Sequence, residues 1–155
     1  MAETLTLIGP ALTHGVLVIT RSVDYTSPNA ARPDHLLPAY QRLSGFSELP
    51  KDWDSYGASP VSARAISGAR RLLSRLVREF PDATDISPYA LAPLANGGVQ
   101  VEWRGAAGAL EIEVGPNGRL SGLLIEDGER GRSYQERDHV SVSEATTLVS
   151  RMLGL

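Results

Sequence analysis

A chain of 155 residues with a formal net charge of −3 suits a single globular unit, long enough to bury roughly two-thirds of its unfolded surface. Its 42% apolar and 21% charged residues exclude wholesale disorder, and the absence of cysteine excludes disulfides and thiolate metal or redox chemistry. No apolar run nears the roughly 20 residues that span a bilayer, and Glu3 stands where a secretory signal carries a cation, so a cytoplasmic protein without a membrane anchor is expected.

Thr4 to Ile8 and Gly15 to Thr20 are short β-prone runs around Gly9-Pro10 and predict an N-terminal hairpin. Ser22 to Pro38 holds Ser27-Pro28-Asn29 and Arg32-Pro33-Asp34 and reads as loop, with a short helical turn over Leu37–Leu43. Residues 1–48 therefore form a hairpin and a proline-containing extension ahead of a domain over 49–155. That domain opens with LPKDWDSYGASPVS, whose prolines and glycine oppose regular structure while Trp53 and Tyr56 oppose exposure. The expectation is an ordered loop clamped by its aromatics, with Trp53 in the core.

Ser62 to Phe80 predicts a helix. Ser62 can cap it, and Ile66, Ala69, Leu73, Leu76 and Phe80 recur at three- and four-residue spacing. Arg64, Arg71, Arg75 and Arg78 fall on the opposite side, and Pro81 stops the helix.

A sheet follows. Ile86–Leu94 is a proline-interrupted strand suited to an edge. In GVQVEWRGAAGALEIEVGPNG, Val99, Val101 and Trp103 alternate with polar residues, and so do Leu110, Ile112 and Val114. Period-two patterning around a Gly/Ala turn predicts an antiparallel pair with one apolar face. Gly115-Pro116-Asn117-Gly118 fits a type I turn closed by a left-handed glycine, feeding a strand over Arg119–Glu126. Leu123, Leu124 and Ile125 break that strand's alternation, which predicts cover on both faces or a bulge. Ser133–Val140 reads as the last strand, and Ser141-Val142-Ser143-Glu144 as a capping box opening a C-terminal helix. The fold class is α+β: an antiparallel meander of four or five strands, with the long helix on its apolar face.

Three groups of residues carry chemistry. If Trp103 faces Leu110, Glu102 falls opposite Glu111 with Glu113 on the same side, a like-charge arrangement that costs a few tenths to about 1 kcal/mol. These glutamates bind a hard cation for metal-assisted hydrolysis, or they are a solvated face neutralised by arginine; the second reading carries more weight. Trp53, Asp54 and Tyr56 form either a ligand-gripping loop or a capped turn, and the capped turn is favoured. The Arg64/Arg71/Arg75/Arg78 stripe grips phosphates of RNA or DNA or an acidic protein surface, without the aromatic interleaving of a nucleic-acid site, or it is the ordinary charged outer face of a helix; the solvated reading carries more weight. Charge is unevenly spread: residues 1–81 hold nine basic and seven acidic groups, and residues 82–155 six and eleven. The sequence has no phosphate-binding glycine loop, zinc-protease helix or nucleophile elbow.

Two blocks, LPKDWDSYGASPVSARAI (49–66) and PLANGGVQVEWRGAAGALEIEVGPNGRL (93–120), resemble a group of uncharacterised small bacterial proteins. That group has a Leu-Pro, Trp-Asp, Tyr-Gly-Ala loop ahead of a helix, then a Gly-Gly-x-Gln-x-Glu-Trp strand and a Glu-x-Glu hairpin. The likeness covers 49–126, about half of the chain, and implies a bacterial or phage-like origin and a shared fold, with no activity. The expected function is a small non-catalytic interaction module without a cofactor. Its partner is another protein, as a homo- or hetero-oligomer, in a toxin–antitoxin or phage-defence arrangement. The alternative is a metal-assisted hydrolase or nuclease built on Glu102, Glu111 and Glu113.

Overall fold

A computed structural model describes residues 33–106, 108–128 and 131–155. The hairpin expected over Thr4–Ile8 and Gly15–Thr20 lies outside the described residues. A single 3-10 turn, Pro33–Leu36, leads into helix α1, Leu37–Phe46, with Pro38 in its first turn, where a missing N–H costs nothing. Ala39, Leu43 and Phe46 recur on one side of α1 and are buried. The helix is longer than the turn expected over Leu37–Leu43, and these side chains belong to the same core as the sheet. Helix α1 thus packs into the core of the α+β unit.

Helix α2, Ala63–Glu79, begins where the Ser62 hydroxyl accepts the Ala65 N–H at 3.0 Å. Its buried side runs through Ala65, Ala69, Leu72, Leu73 and Leu76. Gly68 lets it approach the sheet: a β-carbon there would lie 2.6 Å from Val114 Cγ1. Helix α3, Val142–Leu153, opens with the reciprocal Ser141/Glu144 capping box that the sequence predicts.

Five strands form one antiparallel sheet in chain order: β1, Ala90–Pro93; β2, Val99–Gly105; β3, Gly108–Val114; β4, Leu120–Gly128; β5, Gly131–Val140. Short β1 takes an edge, where Pro93 removes no inner ladder bond. Between β2 and β3 the register is the predicted one, with Trp103 opposite Leu110, Val101 opposite Ile112 and Glu102 opposite Glu111. Trp103 is wholly buried, and its indole N–H donates to the Ile86 carbonyl at 3.0 Å. Gly118 has φ +81 and closes the β3–β4 turn with its N–H on the Gly115 carbonyl.

Helices α2 and α3 share the apolar face of β2 and β3, α1 packs on α2 and β1, and the opposite face carries no element among the described residues. The broken alternation in β4 resolves without a bulge in that strand. Leu124 faces the core opposite Leu110, whereas Leu123 and Ile125 stand half-buried on the outer face opposite Glu111 and Ala109. The irregularity sits in β5. Leu120 pairs with Val140 and Gly122 with Arg137, so one extra residue bulges at Asp138–His139, where His139 takes φ +56.

Candidate functional site: an arginine-lined cleft between helices

The exposed side of α2 does not face open solvent alone. Tyr40 of α1, Arg70, Arg71, Ser74, Arg75, Val77 and Arg78 of α2, and Val142 and Ser143 of α3 wall a cleft of about 660 Å³. Two neighbours anchor its α1 side: the Tyr40 hydroxyl meets Ser74 Oγ at 3.0 Å, and Arg70 Nη2 donates to Ser44 Oγ at 2.8 Å. Arg75 pairs with Glu79 at 2.7 Å, one turn along the helix. Among the described residues no carboxylate lies within 4.0 Å of Arg70, Arg71 or Arg78. The cleft thus combines a half-buried floor, Tyr40, Val77 and Val142, with a lining of guanidinium groups. The first turn of α3 adds a partial positive charge there, but Glu144 already compensates it, so the field of the cleft comes from its arginines.

Of the stripe Arg64, Arg71, Arg75 and Arg78, the cleft brings together the last three. Arg64 sits elsewhere, beside Arg71, Asn117 and Gly118 at the start of α2. Arg70 was not in the expected stripe, because its angular position on α2 points toward α1; only the location of α1 reveals it. Tyr40 was likewise invisible as a site residue, its segment being read as an extension.

The glutamates share the outer face as expected. Gln100 donates its amide to Glu102 Oε1 at 2.9 Å and to Glu111 Oε2 at 3.3 Å, bridging two like charges. Arg104 Nη2 lies 3.9 Å from Glu102, and its guanidinium stacks 3.8 Å above the Tyr89 ring. Partial burial, then the Glu102 and Glu113 charges, push the Glu111 carboxyl above its ordinary value, with Arg104 opposing. Glu113 is exposed and stands opposite Gln100. Among the described residues no group of three or more Asp, Glu or His side chains converges as metal ligation requires.

The loop over residues 51–58 is ordered by backbone bonds, and its aromatics play other parts than expected. Asp54 Oδ1 accepts the N–H groups of Tyr56 and Ala58 at 2.9 and 3.0 Å, which holds its carboxyl below the ordinary range. Asp52 Oδ1 accepts the Gly57 N–H at 2.6 Å. Trp53 is no core plug: half-buried, it donates Nε1–H to the Ser59 carbonyl at 3.2 Å across its own loop. Tyr56 is 93% exposed and clamps nothing. Satisfying the loop's own N–H groups took precedence over burying its rings, which hydrophobicity alone does not foretell.

Among the described residues no helix is long and apolar enough to cross a membrane. No family model, curated protein or solved structure matches this chain.

Proposed function

We propose that this protein is a non-catalytic interaction module whose arginine-lined cleft receives an acidic, partly apolar segment of another protein. It would act as the partner or neutralising subunit in a bacterial toxin–antitoxin or phage-defence pair. One observation carries the reading: Arg70, Arg71 and Arg78 line a single cleft with a largely apolar floor and have no carboxylate partner within 4.0 Å among the described residues. Guanidinium forks favour bidentate carboxylate contacts, and a floor of Tyr40, Val77 and Val142 favours an aliphatic or aromatic side chain between the acidic ones. A net charge of −3 gives a polyanion no long-range attraction to the molecule as a whole, so only the local field of the cleft could favour nucleic acid.

The test is capture from the host with the tagged protein, followed by binding with the purified partner. Capture of a stoichiometric protein that Arg71→Glu/Arg78→Glu abolishes, and that Arg119→Glu leaves intact, supports the reading. A captured nucleic acid, or a partner indifferent to the double reversal, overturns it.

A further inference from the structure

The meander ends on β5, a ten-residue strand whose second edge pairs with nothing among the described residues. The other edge of the sheet, β1, has four residues and ends in proline. From Gly131 to His139 every residue of β5 is exposed, including Tyr134 at 63%. An open ladder of that length is a template for another strand, and its side chains decide which strand it takes.

We propose that the free edge of β5 docks a second copy of this chain, the two β5 strands pairing antiparallel about a two-fold axis at Tyr134. Directly opposed residues in an antiparallel pair share a face, which leaves few registers for self-pairing. With the axis at Tyr134, Arg132 stands opposite Glu136 of the second copy on both sides of the axis, and the two tyrosines face each other. An axis at Gln135 sets Tyr134 against Glu136 and directs Arg132 to Asp138, inside the bulge. An axis at Glu136 opposes two carboxylates. Only the first register matches opposite charges and aromatic with aromatic, the combinations that stabilise cross-strand pairs.

Two further observations fit that register. Arg132, Tyr134 and Glu136 lie on the outer face, opposite Asp127, Ile125 and Leu123 of β4. Pairing at Tyr134 therefore joins the half-buried Leu123 and Ile125 of the two copies, through the tyrosines, into one apolar strip. Arg132 Nε donates to Asp127 Oδ1 on β4 at 2.7 Å, which leaves the other guanidinium donors for Glu136 of the second copy. Charged edge residues ordinarily discourage indiscriminate pairing; here their order admits one partner in one register. This surface shares no residue with the arginine cleft, so it stands or falls separately from the function proposed above.

The experiment is sedimentation of the full chain from about 1 to 100 µM, a range that reports dissociation constants of standard weak interfaces. A reversible rise to twice the chain mass is expected. Arg132→Glu and Glu136→Arg should each sediment as monomers at these concentrations, and an equimolar mixture of the two should dimerise, because each reversal restores the other's ion pair. Tyr134→Cys should form a covalent dimer on mild oxidation while Ser133→Cys does not, the chain having no other cysteine. A native chain that stays monomeric throughout overturns the proposal. So does a dimer that survives Arg132→Glu, a mixture that associates no better than its components, or equal crosslinking at positions 133 and 134.

Discussion

Replacing Trp103 tests the register on which both faces of the sheet depend. The indole is fully buried, opposite Leu110, with its N–H on the Ile86 carbonyl at 3.0 Å. Trp103→Ala removes that volume, a loss of about 3–5 kcal/mol in a core that collapses only in part. Leaving the Ile86 carbonyl without a donor costs about 1–3 kcal/mol by itself, and the two effects overlap, so the upper end of the first range is expected. Trp103→Phe separates them: most of the ring remains, and the loss should fall near the hydrogen-bond value. Against the lower end of a domain stability of about 5–15 kcal/mol the alanine variant would be barely folded or unfolded. Urea melts followed by far-ultraviolet circular dichroism are the assay, since Trp103 is itself one of two indole fluorophores. A midpoint shift worth less than about 1 kcal/mol for Trp103→Ala would refute the reasoning. It would place the indole at the surface and turn Glu102, Glu111 and Glu113 inward.

Glu111→Gln should stabilise the protein at pH 7 by a few tenths to about 1 kcal/mol, since it removes like-charge opposition yet keeps an acceptor for Gln100. The Glu111 carboxyl titrates above its ordinary value in the fold, so the native state binds the proton more readily than the unfolded chain. Stability then falls as pH rises from the ordinary value through the raised one, and the advantage of Glu111→Gln should vanish below the ordinary value; paired thermal melts at pH 7 and at acid pH check both. Gly68→Ala gains about 1 kcal/mol of helix propensity but sets a methyl 2.6 Å from Val114 Cγ1, an overpacking cost of about 1–3 kcal/mol. A net loss that Val114→Ala partly relieves in the double variant is expected from denaturant melts. Asp54 titrates below its ordinary value because it accepts two backbone N–H bonds, so those bonds hold above the ordinary value and are lost as pH falls through the lowered one. Asp54→Ala should speed hydrogen exchange of the Tyr56 and Ala58 amides at neutral pH, whereas unchanged protection would show that the turn holds without its carboxylate.

Where one short-range rule decides, the sequence was readable. The β2–β3 register followed from alternation alone, because a one-residue slip would bring Gln100, Glu102 and Arg104 into the core. The caps at Ser62 and Ser141 and the turn ending at Gly118 are equally local. Legibility failed where competition is tertiary or within a loop. Leu37–Phe46 carries three buried residues interrupted by Arg42 and Gly45, a pattern too thin to mark a core helix until α2 is placed beside it. Leu123 and Ile125 suggested a bulge or a cover, yet the extra residue went to β5 at His139. Arg71, Arg75 and Arg78 were visible as a stripe, but a stripe is not a cleft; the walls come from α1 and α3, distant in the chain.

Charge is unevenly placed among the described residues of this fold. The arginines of α2 lie in the helical layer, and Glu102, Glu111 and Glu113 lie on the side of the sheet that no described element covers, so the α+β unit is polarised across its thickness. A two-fold axis normal to the sheet at Tyr134 preserves that polarity: both helical layers fall on one side of the extended sheet, and both glutamate faces on the other. A β5-paired dimer therefore presents two arginine clefts in the same direction, and a partner that is itself dimeric or surface-bound engages them with the gain of an effectively intramolecular second contact. The two proposals then separate cleanly. Arg132→Glu should leave the affinity of one cleft for a monovalent acidic peptide unchanged while lowering retention on a dense array of the same peptide, whereas Arg71→Glu/Arg78→Glu should abolish both. Equal loss of monovalent binding in Arg132→Glu would mean that β5 supports the cleft itself, and the division of labour between sheet edge and helical layer would be wrong.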